Sequence, residues 1–251
     1  MPGVDGKIAL VTGAGRGIGR HTAEILMARG AEVIGVSRSE DELSRLGCPY
    51  IAKDLGSADG CSEVIKEAEK RFGRIDILVC NHGIGSAHES VVWEQDPEDW
   101  RQTMRVNLDG PFYLSRMVLP GMKERGFGRL VYTSSTSGLI PEYAGSAYNS
   151  SKHGLIGLMR SVSVDAGEYG VTANAVLPGW VKTEMAELSA ATEAKEQGVT
   201  TDQVWEERAA LYPAGRVLAP EEVAEVIAFL SSEEASGVSG EAIRVALGGV
   251  L

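Results

Sequence analysis

Residues 7–30, KIALVTGAGRGIGRHTAEILMARG, decide how this chain folds. The apolar run KIALV at 7–11 has the length and composition of a buried strand, and a helical pattern runs from 17 to 29. Between them lies Thr12-Gly13-Ala14-Gly15-Arg16-Gly17-Ile18-Gly19. Glycines there let the chain turn tightly and let the backbone approach a pyrophosphate at the positive end of the helix. A glycine pattern alone is weak evidence. Its position between a strand and a helix supplies the context that phosphate binding requires.

Outward from this unit, short apolar runs alternate with helical patterns, which reads as repeated βαβ units and a parallel sheet. The predicted strands are 7–11, 32–36, 50–52, 75–79, 129–134, 171–176 and 242–245. Helices are predicted near 17–29, 60–72, 98–124 with a break, 146–168 and 220–230. Pro220 before Glu221 and Glu222 suits the start of the last helix. A chain of 251 residues, 43% of them hydrophobic, can bury one large core, so one domain spanning 1–251 is expected. Residues 184–215 break the alternation and read as a helical insertion.

A formal net charge of −11 argues against nucleic acid or an anionic membrane as partner. No uncharged apolar run is long enough to span a bilayer. Cys48, Cys61 and Cys80 form no CxxC pair and no signal-peptide pattern opens the chain, which fits free thiols in a cytoplasmic protein. His21, His82, His88 and His153 show no ligand-like spacing, so no metal site is expected.

The chemistry is carried by SAYNSSKHGLIGL, in which Tyr148 and Lys152 are four residues apart, with Ser135 thirteen before the tyrosine. On a helix, i and i+4 share a face, so the ammonium can lie near the phenol and favour its ionised form. At ~4 Å and an effective dielectric of ~20 the attraction is about 4 kcal/mol, or roughly three pKa units. A phenol tuned in this way can exchange a proton with a carbonyl or hydroxyl oxygen near neutral pH, and Ser135 can hold that same oxygen.

TGAGRGIG, CNHG at 80–83, Asn107 in RVNLDG, Ser135, the YNSSK run and PGWVKT at 178–183 resemble the short-chain dehydrogenase/reductase family, in order and over nearly the full length. The resemblance implies a doubly wound α/β fold of Rossmann type, with seven parallel strands ordered 3-2-1-4-5-6-7 and helices on both faces. It also implies a catalytic set of Asn107, Ser135, Tyr148 and Lys152, with Asn107 seating a water that relays protons from Lys152. Gly13, Arg16, Gly17, Ile18 and Gly19 would hold the cofactor's pyrophosphate, Asp54 and Leu55 its adenine edge. Asn81 and Gly83 would lie beneath it, and Lys152 would hold the nicotinamide ribose beside Tyr148. Pro178, Gly179, Val181 and Thr183 would bind the nicotinamide amide. Two departures stand out: His82 where the family commonly has alanine, and VALGGVL at 245–251.

At the end of the second strand the chain reads Val36-Ser37-Arg38-Ser39, without the acid that selects NAD. Arg38, Ser37 and Arg16 can instead bind a 2′-phosphate, so NADP(H) is favoured, with NAD(H) as the alternative. VSRSEDEL resembles the corresponding stretch of NADPH-dependent carbonyl and xylulose reductases, and the core motifs resemble 3-oxoacyl-carrier-protein reductases. The expected function is interconversion of a ketone and a secondary alcohol, the substrate a 3-oxoacyl thioester or a small carbonyl compound. An NAD-dependent hydroxy-acid or polyol dehydrogenase is the runner-up, and a nucleotide-sensing scaffold without chemistry is a third reading. Ser137, Tyr143, Trp180 and Met185 are the candidate substrate contacts. The 184–215 segment is expected to be a lid, with Met185, Leu188, Val204, Trp205, Leu211 and Tyr212 inward and Trp180, Tyr143 and the 85–93 loop opposite. By resemblance a homotetramer (or homodimer) is expected, paired through helices near 108–124 and 151–168. Gly154, Leu155, Gly157, Leu158 and Val162 give the second helix small and apolar positions for a close approach, a stripe that core packing would equally produce.

Overall fold

The computed structural model describes residues 3–85 and 90–249; 86–89 in the 85–93 loop, His88 among them, and the last two residues of VALGGVL lie outside it. Seven strands, β1 (Ile8–Thr12), β2 (Glu32–Ser37), β3 (Tyr50–Ala52), β4 (Ile77–Cys80), β5 (Gly128–Thr133), β6 (Val171–Pro178) and β7 (Ala242–Val245), form one sheet in the order β3-β2-β1-β4-β5-β6-β7. Every pair is parallel, with Val11 opposite Gly35 on one side and Val79 on the other. All of β1, β4, β5 and β6 is buried, as expected of strands covered on both faces.

Alternate strand residues feed two cores. Ile8 and Leu10 join one with α3 (Ala58–Phe72), α5 (Gly110–Arg125) and α6 (Ser146–Ala166). Ala9 and Val11 join the other with α1 (Gly17–Ala28), the short α2 (Glu40–Leu43) and α9 (Pro220–Leu230). The period of two in a strand therefore sorts the sequence into the two faces of a doubly wound fold.

The break predicted within 98–124 is a π-helical turn, Arg105–Asp109, that joins α4 (Pro97–Met104) to α5 without interrupting the helix. The 184–215 segment forms a helical pair, α7 (Glu184–Gln197) and α8 (Thr201–Ala210), with a small core of its own built on Ala186, Ala190, Ala194, Val204 and Trp205. Among the described residues no helix is long and apolar enough to cross a membrane, and no cluster of His, Cys, Asp or Glu is arranged to hold a metal.

Candidate active site

The glycine loop turns because Gly13 and Gly17 adopt left-handed φ of +66° and +52°. A side chain on Gly19 would run into the Gly13 carbonyl and the Asn81 amide, so the first turn of α1 packs directly on the loop. Asn81 ties the ends of β4 and β1 together: its N–H donates to Thr12 Oγ1 at 3.0 Å and its Nδ2 to the Gly13 carbonyl at 3.4 Å. Arg16 is the N-cap of α1, and Ile18 is half-buried behind it.

Behind this floor, a Cβ on Gly83 would lie 3.3 Å from Asn107 Oδ1 and 3.5 Å from Lys152 Nζ. Residue 83 is thus small where two polar side chains converge. Asn107 sits in the π-turn, and its amide pairs with the backbone of Ile84 through two bonds of 2.9 Å and donates to Ser151 Oγ at 3.1 Å. Ser151 in turn donates to the Tyr148 carbonyl at 2.7 Å, which fixes the start of α6. Both Asn107 amide hydrogens are therefore engaged, and its Oδ1 accepts from the Ile84 N–H.

Lys152 is buried, donates to the Thr133 carbonyl at 2.9 Å, and lies 5.4 Å from the centre of the Tyr148 ring. The i,i+4 spacing thus brings the pair onto one face as expected. The expected electrostatic outcome needs correction. Burial drives the Tyr148 pKa up to about 12, against a hydrogen bond from Ser135 that lowers it, and burial lowers Lys152 to about 8. The ammonium is committed to Thr133 and is itself desolvated, so within the chain alone desolvation of the phenol outweighs attraction to the lysine.

Ser135 follows β5 in extended conformation and accepts from the Ser137 N–H at 3.1 Å. Its hydroxyl donates to Ser137 Oγ at 3.1 Å, and Ser137 donates to Glu142 Oε1 at 2.8 Å. Glu142 is exposed but its backbone is clamped by Asn149, whose amide donates to the Glu142 carbonyl at 2.7 Å and accepts its N–H at 3.3 Å.

His82 fits because residue 110 is glycine: a Cβ there would stand 2.8 Å from its Nε2. The buried ring places Nδ1 2.7 Å from Thr12 Oγ1. That oxygen already accepts from the N–H groups of Asn81 and His82, and shares its hydrogen between Nδ1 and the Val79 carbonyl, which assigns the ring hydrogen to Nε2. Nε2 has no hydrogen-bond partner among the described residues, although the Val106 carbonyl lies near enough to favour protonation. Burial first, and then the Lys152 charge, bring the pKa down to about 4, so the ring is neutral at physiological pH.

At the end of β2, Ser37 is half-buried and bonded to Ser39, Arg38 is exposed, and Asp54 and Leu55 follow β3 with Leu55 buried. The absence of an acid from the strand end does not leave this pocket without one. Ser39 caps α2 by accepting from the Glu42 N–H at 3.3 Å, and the turn carries the Glu42 carboxylate over Gly15, 3.7 Å from Arg16. Sequence reading missed Glu42 because it lies five residues beyond the strand, and only the cap brings it back.

On the opposite side, Pro178 ends β6, Val181 bridges to Leu218, and Thr183 caps α7 by accepting from Ala186 N–H at 3.3 Å. The six residues expected to face inward from the lid divide. Val204, Trp205 and Tyr212 are buried, whereas Met185, Leu188 and Leu211 are exposed. Trp180 does not stand across from them but packs among them, its ring 3.6 Å from the Arg208 guanidinium. Arg208 is buried and bonds the Ala186 carbonyl, Ser189 and Glu193. Tyr143 is 87% exposed and Ser137 buried, so the candidate substrate contacts stand at different depths.

The family model described as Enoyl-(Acyl carrier protein) reductase matches residues 13–249. The chain belongs to the short-chain dehydrogenase/reductase family. It is similar to the D-beta-hydroxybutyrate dehydrogenase of Cupriavidus necator, 34% identical over 94% of this chain and 95% of that protein. To the 3-oxoacyl-[acyl-carrier-protein] reductase of Vibrio cholerae it is 36% identical over 96% of each. The crystal structure of L-sorbose reductase from Gluconobacter frateurii, complexed with NADPH and L-sorbose, superposes with a TM-score of 0.92 at 28% identity, covering 98% of this chain and 97% of that one. The chain is thus an oxidoreductase of this family with a Rossmann-like sheet.

Proposed function

We propose that the protein is an NADP(H)-dependent reductase that interconverts a ketone and a secondary alcohol. The observation that carries this reading is the convergence of Ser135, Tyr148, Lys152 and Asn107 at the carboxyl ends of the strands, beside a loop whose glycines leave room for a pyrophosphate. In this reading Ser135 holds the substrate oxygen and Tyr148 exchanges its proton. Lys152, poised near pKa 8, holds ribose hydroxyls and passes protons towards the carbonyls of the π-turn around Asn107. Gly13, Arg16, Gly17, Ile18 and Gly19 hold the pyrophosphate, Asp54 and Leu55 the adenine edge, and Asn81 and Gly83 the underside. Pro178, Gly179, Val181 and Thr183 fix the nicotinamide, and the bound cofactor supplies or accepts the hydride.

Ser37, Arg38 and Arg16 support NADP(H). The Glu42 carboxylate beside Arg16 favours a second reading, NAD(H), because it can accept from ribose hydroxyls and repels a phosphate. The remaining proposals are a single cytoplasmic domain, a mobile lid at 184–215, and a homotetramer (or homodimer) paired through α5 and α6. Leu155 and Val162 of the expected contact stripe face the protein's own core, so the pairing face would use the exposed Phe112 of α5 and Gly157 and Val164 of α6. Light scattering that gave a monomer at micromolar concentration would rule the assembly out. The functional reading is tested by a panel of ketones and alcohols with both cofactors at neutral and alkaline pH. Turnover of none of them would remove it.

A further inference from the structure

The reductase reading leaves open what the site takes, and Glu142 bears on that. Ser137 has one hydroxyl hydrogen, and it goes to Glu142 Oε1; Ser137 Oγ lies 3.1 Å from the Ser135 hydroxyl, which is also within hydrogen-bond reach of Tyr148. The carboxylate is therefore two hydrogen bonds from the hydroxyl that would hold the reacting oxygen. It is also a built feature. Its backbone is clamped on both sides by Asn149, 7% exposed and next to Tyr148 in the chain. Ala144, two residues on, is held at φ +54° and its carbonyl accepts from the Ser90 N–H at 2.9 Å, so the loop is fixed in a conformation a non-glycine residue seldom adopts. Burial is the main cause that raises the pKa of both Tyr148 and Tyr212, and the charge of Glu142 adds to it at each, so the carboxylate acts on the catalytic helix and on the 184–215 segment alike. Its second oxygen accepts nothing from the described residues.

The cations that could offset it are engaged elsewhere. Lys182 lies 3.5 Å from Glu187, Arg208 is bound to Glu193 at 2.7 Å, and Lys152 donates to Thr133. A substrate carboxylate entering here would meet the Glu142 charge while these three cations are already engaged, whereas a hydroxyl would find an acceptor of the kind Ser137 already uses. An ammonium would pair with Glu142 but would share the cleft with the Lys152 charge and lose more hydration on entry.

Building on the reductase reading, we propose that Glu142 is the residue that determines specificity, selecting carbonyl compounds that carry a hydroxyl beside the reacting carbon, such as hydroxyketones, ketoses and the corresponding polyols, and rejecting keto acids. A charged acceptor for a substrate hydroxyl corresponds to about ten- to a hundredfold in discrimination. The test compares kcat/KM for hydroxyacetone against acetone, acetoin against 2-butanone, and acetoacetate and aminoacetone alongside, in wild type and Glu142→Gln, with cofactor titration confirming that the variant is folded. The expected result is a wild-type preference for the hydroxylated member of each pair that falls about tenfold or more in Glu142→Gln, through KM more than kcat, while relative activity on acetoacetate rises. An unchanged preference in the variant, or a wild type that favours acetoacetate or aminoacetone, overturns the proposal for Glu142 and leaves the reductase reading standing. Turnover of no compound in the panel, with cofactor binding intact, removes both.

Discussion

The two walls of the cleft are built in different ways. The wall formed by β1, β2 and β4 is continuous with the sheet: Thr12, Asn81, Gly13 and Gly19 interlock through main-chain atoms, and a single added methyl group on Gly19 would collide with backbone. The wall formed by α7 and α8 has a core of its own, centred on Ala190, Val204 and Trp205, and joins the rest through a few contacts near Val181, Tyr212 and Leu218. One wall is continuous with the sheet, whereas the other, in the lid proposal, moves as a unit. Such a division suits a site that binds one cofactor rigidly and different substrates through variable parts.

The largest expected effect falls on the seam between the walls. Tyr148→Phe removes the oxygen proposed to exchange the proton and is expected to lower kcat by about 10²–10⁴-fold while cofactor affinity stays near wild type, read by steady-state kinetics and fluorescence titration. Because burial holds the phenol near 12 in the chain alone, oxidation, which needs it ionised, should accelerate towards alkaline pH, whereas reduction, which needs it protonated, should not. A flat oxidative profile from pH 7 to 10 would contradict that assignment.

On the rigid wall, Arg38→Asp is expected to weaken NADP binding roughly ten- to a hundredfold, and Glu42→Gln to strengthen it by a smaller factor. Neither should alter the ranking of substrates, and a change in that ranking would mean that the walls are coupled. His82→Ala probes the same wall through stability. A histidine whose pKa falls from 6.5 unfolded to about 4 folded costs stability as pH drops through that window, because only the unfolded chain takes up the proton there. The full shift corresponds to about 3 kcal/mol, so the wild type should lose more melting temperature between pH 7 and pH 5 than the variant does. Equal losses would place the acid sensitivity elsewhere.

The smallest effect is expected on the movable wall. Cleavage within 184–212 by a trace of protease should be fast in the free protein and slow with cofactor and substrate, with Arg208→Ala faster still. Identical rates in the free and bound protein would make the helical pair a fixed cover.

Much of this was legible in the sequence. Strand positions, sheet order and the glycine loop follow from periodicity, turn chemistry and the resemblance, because each is fixed by local pattern or by motifs in register. Ser135, Tyr148 and Lys152 were read from spacing and Asn107 from the resemblance, and the fold sets Lys152 5.4 Å from the Tyr148 ring and Asn107 against Ser151. What could not be read depends on where a short turn points a side chain. Glu42 reaches the cofactor pocket only through the Ser39 cap, and Glu142 reaches the serines only through a loop held by Asn149 and a strained Ala144. The direction of the Tyr148 shift was misjudged for a related reason. Spacing shows that the lysine is close, but burial of the phenol and the claim of Thr133 on the ammonium are tertiary facts.

The π-turn at Arg105–Asp109 has a further consequence for how this protein tolerates change. It amounts to one surplus residue in a helix running from Pro97 to Arg125, absorbed by a wide turn, so removing that residue would restore an unbroken ladder with α4 and α5 in nearly the same orientation. The repaired helix would be the more regular one, and Asn107 would swing off Ile84 and Ser151. A length change of one residue in this segment is therefore far harsher on activity than a length change in the connection between α7 and α8, and it can leave the protein folded and inert.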